Sequence, residues 1–171
     1  MMLVWRLVSL FLLLQVHSVR GKWAQDRFAI SFWVDPIVPV ADFEMRYKEI
    51  AEANFSVLLG GFGATTRDEV TAQLKAAADA GLKAIPSACG NPGAAINLTS
   101  PSLWGFQMKD EPQTQDFAEL ATWSEAIAQA APQALRFINL LPNYADASTQ
   151  LNASSYRAYA SEFVKTVKPD L

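Results

Sequence analysis

Two kinds of segment alternate along the chain. Short runs of apolar, β-favouring residues end in polar or glycine-containing turns, and longer amphipathic segments follow them. The apolar runs are residues 27–34, 56–63, 83–90, 103–109 and 135–141. Continuous apolar strands separated by amphipathic helices are typical of a parallel sheet with helical crossovers. The pattern therefore predicts an α/β fold of about five βα units.

The amphipathic segments carry apolar residues at helical spacing. The residues predicted to face inward are Phe43, Tyr47, Ile50 and Ala51, then Val70, Leu74 and Ala77, then Phe117, Leu120, Ser124, Ile127 and Ala131, and finally Tyr156, Tyr159, Ala160, Phe163 and Val167. Thr66 followed by Glu69 predicts a capping box at the start of the second helix. Gly81 predicts where that helix ends.

Two architectures suit this order of elements, a doubly wound open sheet and a (β/α)8 TIM barrel. The first strand-to-helix turn lacks the GxGxxG motif of a dinucleotide site, which favours the barrel. A complete barrel needs about 250 residues, whereas this chain has 171. We therefore expect a partial (β/α)8 barrel with a parallel sheet, in which a sixth strand would begin near residues 168–171.

The N-terminal segment has the pattern of a secretory signal peptide. An early arginine precedes an apolar run between Leu7 and Val16. This run is too short to cross a bilayer of about 30 Å as a helix, and it has the length of a signal-peptide core. Cleavage after Ser18 would leave residues 19–171 as one domain, and an uncleaved membrane anchor is the alternative. We expect a secreted, extracellular protein that has no membrane association after cleavage.

Three Asn-X-Ser/Thr triplets agree with secretion. They predict glycosylation at Asn54, Asn97 and Asn152, although such triplets also occur by chance. Cys89 is the single cysteine, so the chain forms no internal disulfide. Its stability is therefore expected to come from core packing.

Charge and histidine content narrow the possible chemistry. The net charge is −3 and no Lys/Arg cluster is present, which argues against a nucleic-acid partner. The only histidine, His17, lies in the predicted signal peptide. Ser-His-Asp catalysis and histidine-ligated zinc are therefore excluded for the mature chain, and we predict neither a metal site nor a cofactor. The oligomeric state is left open.

In a barrel, functional residues lie at the C-terminal ends of the strands. The sequence places a mixed set of side chains there: Trp33, Asp35, Gly60, Gly61, Ser87, Cys89, Asp110, Glu111, Asn139, Asn143 and Tyr144. Aromatic faces combined with amide and carboxylate groups suit a carbohydrate ligand, although any barrel rim is polar. Trp33 and Tyr144 are interpreted either as sugar-stacking platforms or as packing residues.

Asp110-Glu111-Pro112 ends the fourth apolar run. Adjacent side chains in an extended segment point to opposite sides, so one carboxylate is expected to face the barrel axis while the other braces the loop. A glutamic acid beside apolar neighbours such as Met108 could retain its proton and deliver it to a leaving oxygen. The alternative is loop polarity, with both carboxylates near the positive N-terminus of the next helix.

The segment LWGFQMKDEP, followed by FAELATWSEAIAQAAPQALRFINLLPNYA, resembles a family of glycoside-hydrolase-type TIM-barrel proteins. The resemblance extends from about Arg27 to Leu171, within a domain of residues 19–171. Clan A glycosidases carry Asn-Glu-Pro at the end of strand 4, where the glutamate is the general acid/base. The resemblance thus implies that Glu111 is the acid/base and that Asp110 replaces the usual asparagine.

The resemblance also implies a substrate and a missing partner residue. It implies a secreted protein acting on O-glycosidic bonds, with substrate-binding residues Trp33, Asp35, Asp110, Asn143 and Tyr144. The clan A nucleophile lies at the end of strand 7, beyond the five predicted units, so this chain alone is expected to be inactive. The alternative is a non-catalytic carbohydrate-binding protein or a degenerate barrel protein.

Overall fold

The computed structural model describes residues 23–33, 38–60, 64, 66–87 and 98–169. The helices in this part of the chain are α1 (Phe43–Glu52), α2 (Arg67–Asp79), α3 (Phe117–Ala130) and α4 (Tyr156–Val167). The strands are β1 (Val57–Gly60), β2 (Lys83–Pro86), β3 (Gly105–Asp110) and β4 (Leu135–Asn139). Short 3-10 turns, Val40–Asp42 and Thr114–Asp116, precede α1 and α3. The predicted signal peptide, residues 1–18, lies outside the described residues.

The strands are parallel, which confirms the predicted α/β class. β1 pairs with β2 and β3 pairs with β4, in two separate ladders. Two isolated parallel bridges, Ala84 with Leu103 and Ser87 with Gln107, join β2 to β3. The Ala84 N–H donates to Ser102 O at 2.8 Å. Pro86, two residues further on, has the same orientation but no N–H, so the ladder between β2 and β3 is interrupted.

The predicted first strand, residues 27–34, does not form a regular strand over its described part, 27–33. Ser56 instead holds this segment beside the start of β1. Its hydroxyl donates to Phe28 O at 2.7 Å and accepts the Ile30 N–H at 2.8 Å. The backbone N–H groups of Ser56 and Val57 both donate to Ile30 O, at 3.0 and 3.2 Å. The described residues therefore contain four strands rather than five.

The predicted ends of α2 are confirmed. The Thr66 hydroxyl accepts the Glu69 N–H at 3.3 Å, and the Glu69 carboxylate accepts the Thr66 N–H at 2.9 Å. This reciprocal pair is the capping box expected from the sequence. At the other end Gly81 has φ +72°, and the Leu82 N–H donates back to Ala77 O at 2.8 Å. Glycine suits this position because the left-handed conformation costs it little.

The helices cover one face of the strands with two core clusters. One lies between α1, α2 and the first two strands, and the other lies between α3, α4 and the last two. Most of the residues predicted to face inward are buried in these clusters, including Tyr47, Leu74, Leu120 and Phe163. No helix in the described part of the chain is both long and apolar enough to cross a bilayer.

The opposite side of the strands, here called the inner face, is also apolar. Its residues are Val57, Leu59, Ile85, Trp104, Leu135 and Phe137. Two tryptophans of the N-terminal segment pack against it. The Trp23 ring meets Trp104 edge-on with centroids 5.1 Å apart, and the Trp33 ring lies 6.4 Å from that of Phe137. These ring contacts are with the β3–β4 half, and the bonds from Ser56 and Val57 to Ile30 connect the same segment to β1, so residues 23–33 contact both halves of the strand layer.

Tyr159 joins α4 to the loops that follow β3 and β4. Its hydroxyl donates to Pro112 O at 2.7 Å and accepts the Leu141 N–H at 3.4 Å. The side chain is fully buried, with its ring 5.2 Å from that of Phe117. Burial raises the pKa of the Tyr159 phenol, so the hydroxyl remains a neutral donor at ordinary pH. This single residue sets the spacing of the two loops.

We predict that Tyr159→Phe lowers the free energy of unfolding by about 1–3 kcal/mol, because the Pro112 carbonyl and the Leu141 N–H lose their shared partner. Urea denaturation measures this change. Tyr156→Phe is the matched control, since Tyr156 lies on the same helix and is only half-buried. Equal effects of the two substitutions would contradict the assigned role of Tyr159.

Candidate functional site

A β-bulge in β3 determines the direction of the Asp110 side chain. In the pairing with β4, Gln107 and Lys109 oppose consecutive residues, so Met108 is an extra residue. In a regular strand Asp110 would share the helix-facing side with Met108. The extra residue instead places Asp110 on the inner face beside Asn139. The bulge therefore brings a carboxylate to the C-terminal edge of the inner face.

Asp110 and Asn139 form the polar end of this face. They are register partners at the ends of β3 and β4, and Asn139 Nδ2 donates to Asp110 Oδ1 at 2.9 Å. The remaining oxygens, Asp110 Oδ2 and Asn139 Oδ1, can each accept a hydrogen bond from a ligand. Of the two adjacent carboxylates, Asp110 is the one on the inner face, and Glu111 begins the loop.

Glu111 is held in a strained backbone conformation. Its φ is +45° and its N–H donates to Asn139 O at 2.8 Å. A left-handed conformation costs a residue with a Cβ about 1–2 kcal/mol, and a residue before proline is normally extended. Its side chain is exposed, whereas Met108 is buried in the core on the helix side. The apolar neighbour expected from Met108 is therefore absent.

The aromatic residues predicted for the site lie in different surroundings. Trp33 is 41% exposed and its ring faces Phe137 of the inner face. Tyr144 is 86% exposed in the loop after β4, where Asn143 is also exposed. Within the described residues, neither Asn143 nor Tyr144 shares a hydrogen bond or a ring contact with the Asp-Glu-Pro turn. Asp35 lies outside the described part of the chain, as does Cys89.

Gln107 is a residue that the sequence reasoning missed. It lies beside Phe137 on the inner face, is bridged to Ser87, and is 2% exposed. Its Oε1 atom is buried and has no hydrogen-bond donor among the described residues. The sequence feature that could have identified Gln107 is its polar side chain in the middle of the apolar run that forms β3.

Gly60 is the last residue of β1, which pairs with β2. A Cβ atom there would overlap the amide of Gln73, a buried residue of α2. The close approach to Gly60 is thus made by this helix side chain. Gly61 lies outside the described residues. Gly60 therefore serves packing of α2 rather than access of a ligand.

Asp146 organises the loop after β4 and was also missed by the sequence reasoning. Its Oδ1 atom accepts four hydrogen bonds, from the N–H and hydroxyl of Ser148 at 3.1 and 2.9 Å and from those of Thr149, both at 2.7 Å. These bonds, led by the Thr149 N–H, lower the pKa of the Asp146 carboxyl to about 2. The carboxylate thus closes a tight turn in the loop that also carries Tyr144.

Two of the three predicted glycosylation sites are described, and both asparagines are exposed. Asn54 has φ +64° and follows the C-terminus of α1, where the Phe55 N–H donates to Ile50 O at 3.2 Å. Asn152 has φ +50°, and its Nδ2 donates to Gln115 Oε1 at 3.4 Å. Asparagine tolerates the left-handed region, so turn geometry accounts for both residues independently of modification. Asn97 lies outside the described residues.

Other sites are sparse in the described part of the chain. No group of three or more His, Cys, Asp or Glu side chains there could hold a metal ion. An open hollow of about 460 Å³ lies between the C-terminal ends of α1 and α2, beside Glu52 and Asp79. It is on the helix side and at the opposite end of the strands from Asp110.

Comparison of the chain with models of protein families, with curated proteins and with solved structures found no match. The likeness to glycoside-hydrolase-type barrels thus stays a prediction from the sequence. The functional proposal rests on the geometry of the residues at the ends of β3 and β4.

We predict that Asp146→Asn destabilises the protein at neutral pH and that this effect disappears in acid. The folded-state pKa of about 2 lies below the ordinary value of 3.8, so the carboxylate stabilises the fold above about pH 4. That contribution is lost as the pH falls from about 4 towards 2. Melting temperatures at a series of pH values measure it. Glu119→Gln, which removes an exposed carboxylate on α3, is the control.

We also predict that Glu111→Gly stabilises the protein by about 0.5–1 kcal/mol, because glycine adopts a positive φ without a Cβ clash. Glu111→Ala keeps the Cβ and should change stability by less than about 0.5 kcal/mol. Glu119→Gly, in the helical first turn of α3, should destabilise by about 1 kcal/mol. Chemical denaturation compares the three variants. A destabilising Glu111→Gly would show that the backbone of Glu111 is not strained.

Proposed function

We propose that the protein is a secreted, glycoside-hydrolase-like protein that acts on O-glycosidic bonds, with Glu111 as its general acid/base. The observation that carries the proposal is the position of Glu111. It is the first residue after β3, its backbone is held in a strained conformation by the Asn139 carbonyl, and its side chain is exposed. Backbone strain of this kind concentrates at functional sites.

The proposed architecture is a partial (β/α)8 barrel. In the described part of the chain, four parallel strands follow one another in chain order, and the helices pack on one face of them. The other face carries its own apolar cluster, as the interior of a barrel does. Residues 28–30 lie beside β1, where the first strand of a barrel would run. The Asp-Glu-Pro turn then occupies the edge at which barrel enzymes have their active sites.

The proposed ligand is a carbohydrate. Trp33 presents a partly exposed aromatic face next to Phe137. At the edge above this aromatic pair, Asp110 and Asn139 offer acceptor oxygens in a fixed arrangement. An apolar ring face and convergent hydrogen-bonding groups are complementary to the two kinds of surface on a sugar ring. Asn143, Tyr144 and Asp35 remain proposed contacts from the neighbouring loops.

In the proposed reaction Glu111 donates a proton to the leaving oxygen of the glycosidic bond. In a retaining reaction a second carboxylate bonds to the anomeric carbon as the glycosidic C–O bond breaks, and Glu111 then withdraws a proton from the water that displaces that carboxylate. A second carboxylate is needed, at about 5–5.5 Å for retention or 6.5–9.5 Å for inversion. Asp110, its neighbour in sequence, already accepts a hydrogen bond from Asn139. Because the Asp110 carboxylate already takes part in this hydrogen bond, a second candidate function is carbohydrate binding without hydrolysis.

Secretion belongs to the same proposal. The exposed side chains of Asn54 and Asn152 leave room for attached glycans. Modification of these two residues and of Asn97 would agree with passage through the secretory pathway.

We predict that, if the protein turns over aryl glycosides, Glu111→Gln lowers the rate by about 10²–10⁴-fold while sugar binding is retained, since only proton transfer is removed. Hydrolysis rates of a nitrophenyl glycoside panel and titration with the corresponding free sugars measure the two properties. Glu119→Gln is the matched control and should leave both unchanged.

If the unsubstituted protein binds sugars but hydrolyses none of the panel, the binding function replaces the hydrolytic one. Turnover that survives Glu111→Gln would remove Glu111 from the catalytic role.

A further inference from the structure

The side chain of Gln107 has an unusual position for an amide. Gln107 lies in the middle of β3, on the inner face, next to Phe137 of β4. It is 2% exposed, and no donor in the described part of the chain reaches its Oε1 atom. Nearly all buried polar atoms in folded proteins are hydrogen-bonded, so an unpaired buried acceptor indicates a missing hydrogen-bond donor.

The surroundings of Gln107 show where such a partner would lie. The bulge at Met108 puts Gln107 and Asp110 on the same face of β3, one step apart along the strand. Phe137 lies beside Gln107, and the ring of Trp33 approaches Phe137. Aromatic carbon, the Asp110–Asn139 pair and the Gln107 carbonyl therefore converge on one region of the inner face.

We propose that Gln107 Oε1 accepts a hydrogen bond from a hydroxyl group of a saccharide bound on the inner face against Trp33. This inference rests on the proposed carbohydrate function and adds the residue that recognises a sugar hydroxyl group on the inner face. A buried acceptor that is satisfied only by a ligand rejects analogues that lack the hydroxyl, because binding them leaves the acceptor unpaired. Gln107 would thus determine specificity rather than take part in proton transfer.

The buried, unpaired Oε1 atom of Gln107 also leads to an expectation about stability. An acceptor without a partner in the free protein contributes nothing to folding, and its burial is unfavourable. Replacement by an apolar side chain of similar size removes that penalty. Binding and stability should therefore respond in opposite directions to the same substitution, which a purely structural role for Gln107 would not produce.

The experiment uses Gln107→Leu and Gln107→Met in the full chain, with Gln129→Leu on the exposed side of α3 as the matched control. Isothermal titration with cellobiose, laminaribiose, chitobiose and maltose measures binding, and thermal unfolding measures stability. We expect the Gln107 variants to weaken binding of the recognised disaccharide by about tenfold or more. Their melting temperatures should equal or exceed that of the unsubstituted protein.

The outcomes separate this inference from the function on which it rests. If the unsubstituted protein binds a disaccharide and the Gln107 variants bind it equally well, Gln107 has no role in recognition and the carbohydrate function stands. If both Gln107 variants melt at clearly lower temperature or fail to fold, the amide has a structural partner and the inference is overturned. Absence of binding to all four disaccharides by the unsubstituted protein would count against both proposals.

Discussion

The contact between the ends of β3 and β4 is the constraint on which the candidate site depends. The Asn139 carbonyl accepts the Glu111 N–H, and the Asn139 amide donates to Asp110. One residue of β4 thus holds both acidic residues of the Asp-Glu-Pro turn: its side chain binds the Asp110 carboxylate, and its backbone carbonyl accepts the Glu111 N–H. The arrangement works only because the extra residue Met108 rotates Asp110 onto the inner face.

The turn is also held from the helix side. Tyr159 binds the Pro112 carbonyl immediately after Glu111, and the same hydroxyl accepts the Leu141 N–H two residues beyond β4. The strand ends are therefore tied together from both sides of the layer. A residue in an unfavourable backbone conformation persists only where its surroundings over-determine it, and Glu111 meets that condition.

Features that depend on neighbours in sequence were predicted well. The capping box of Thr66 and Glu69 and the helix end at Gly81 involve residues a few positions apart, so local pattern is sufficient to identify them. The buried helix stripes follow from helical periodicity for the same reason.

Features that depend on distant residues were not visible in the sequence. The bulge at Met108 exists only relative to the register of β4, and the orientation of Asp110 follows from it. The bonds from Ser56 to residues 28–30 span more than 25 positions, and they replace the ladder expected for a first strand. In the sequence, Gln107 is an ordinary strand residue. Its importance depends on the face of β3 that it occupies and on the lack of a hydrogen-bond donor to its Oε1 atom among the described residues.

The break at Pro86 divides the described strand layer into two hydrogen-bonded units, β1 with β2 and β3 with β4. Each pair of strands has its own ladder and its own helix-covered cluster, and among the described residues two isolated bridges join β2 to β3. Leu103 is one of few residues that pack against both clusters. Local opening along this seam breaks fewer hydrogen bonds than opening within either ladder. The strand layer is therefore least cooperative between β2 and β3. The turn that contains Glu111 lies wholly within the β3–β4 unit, so it keeps its geometry when β2 and β3 separate.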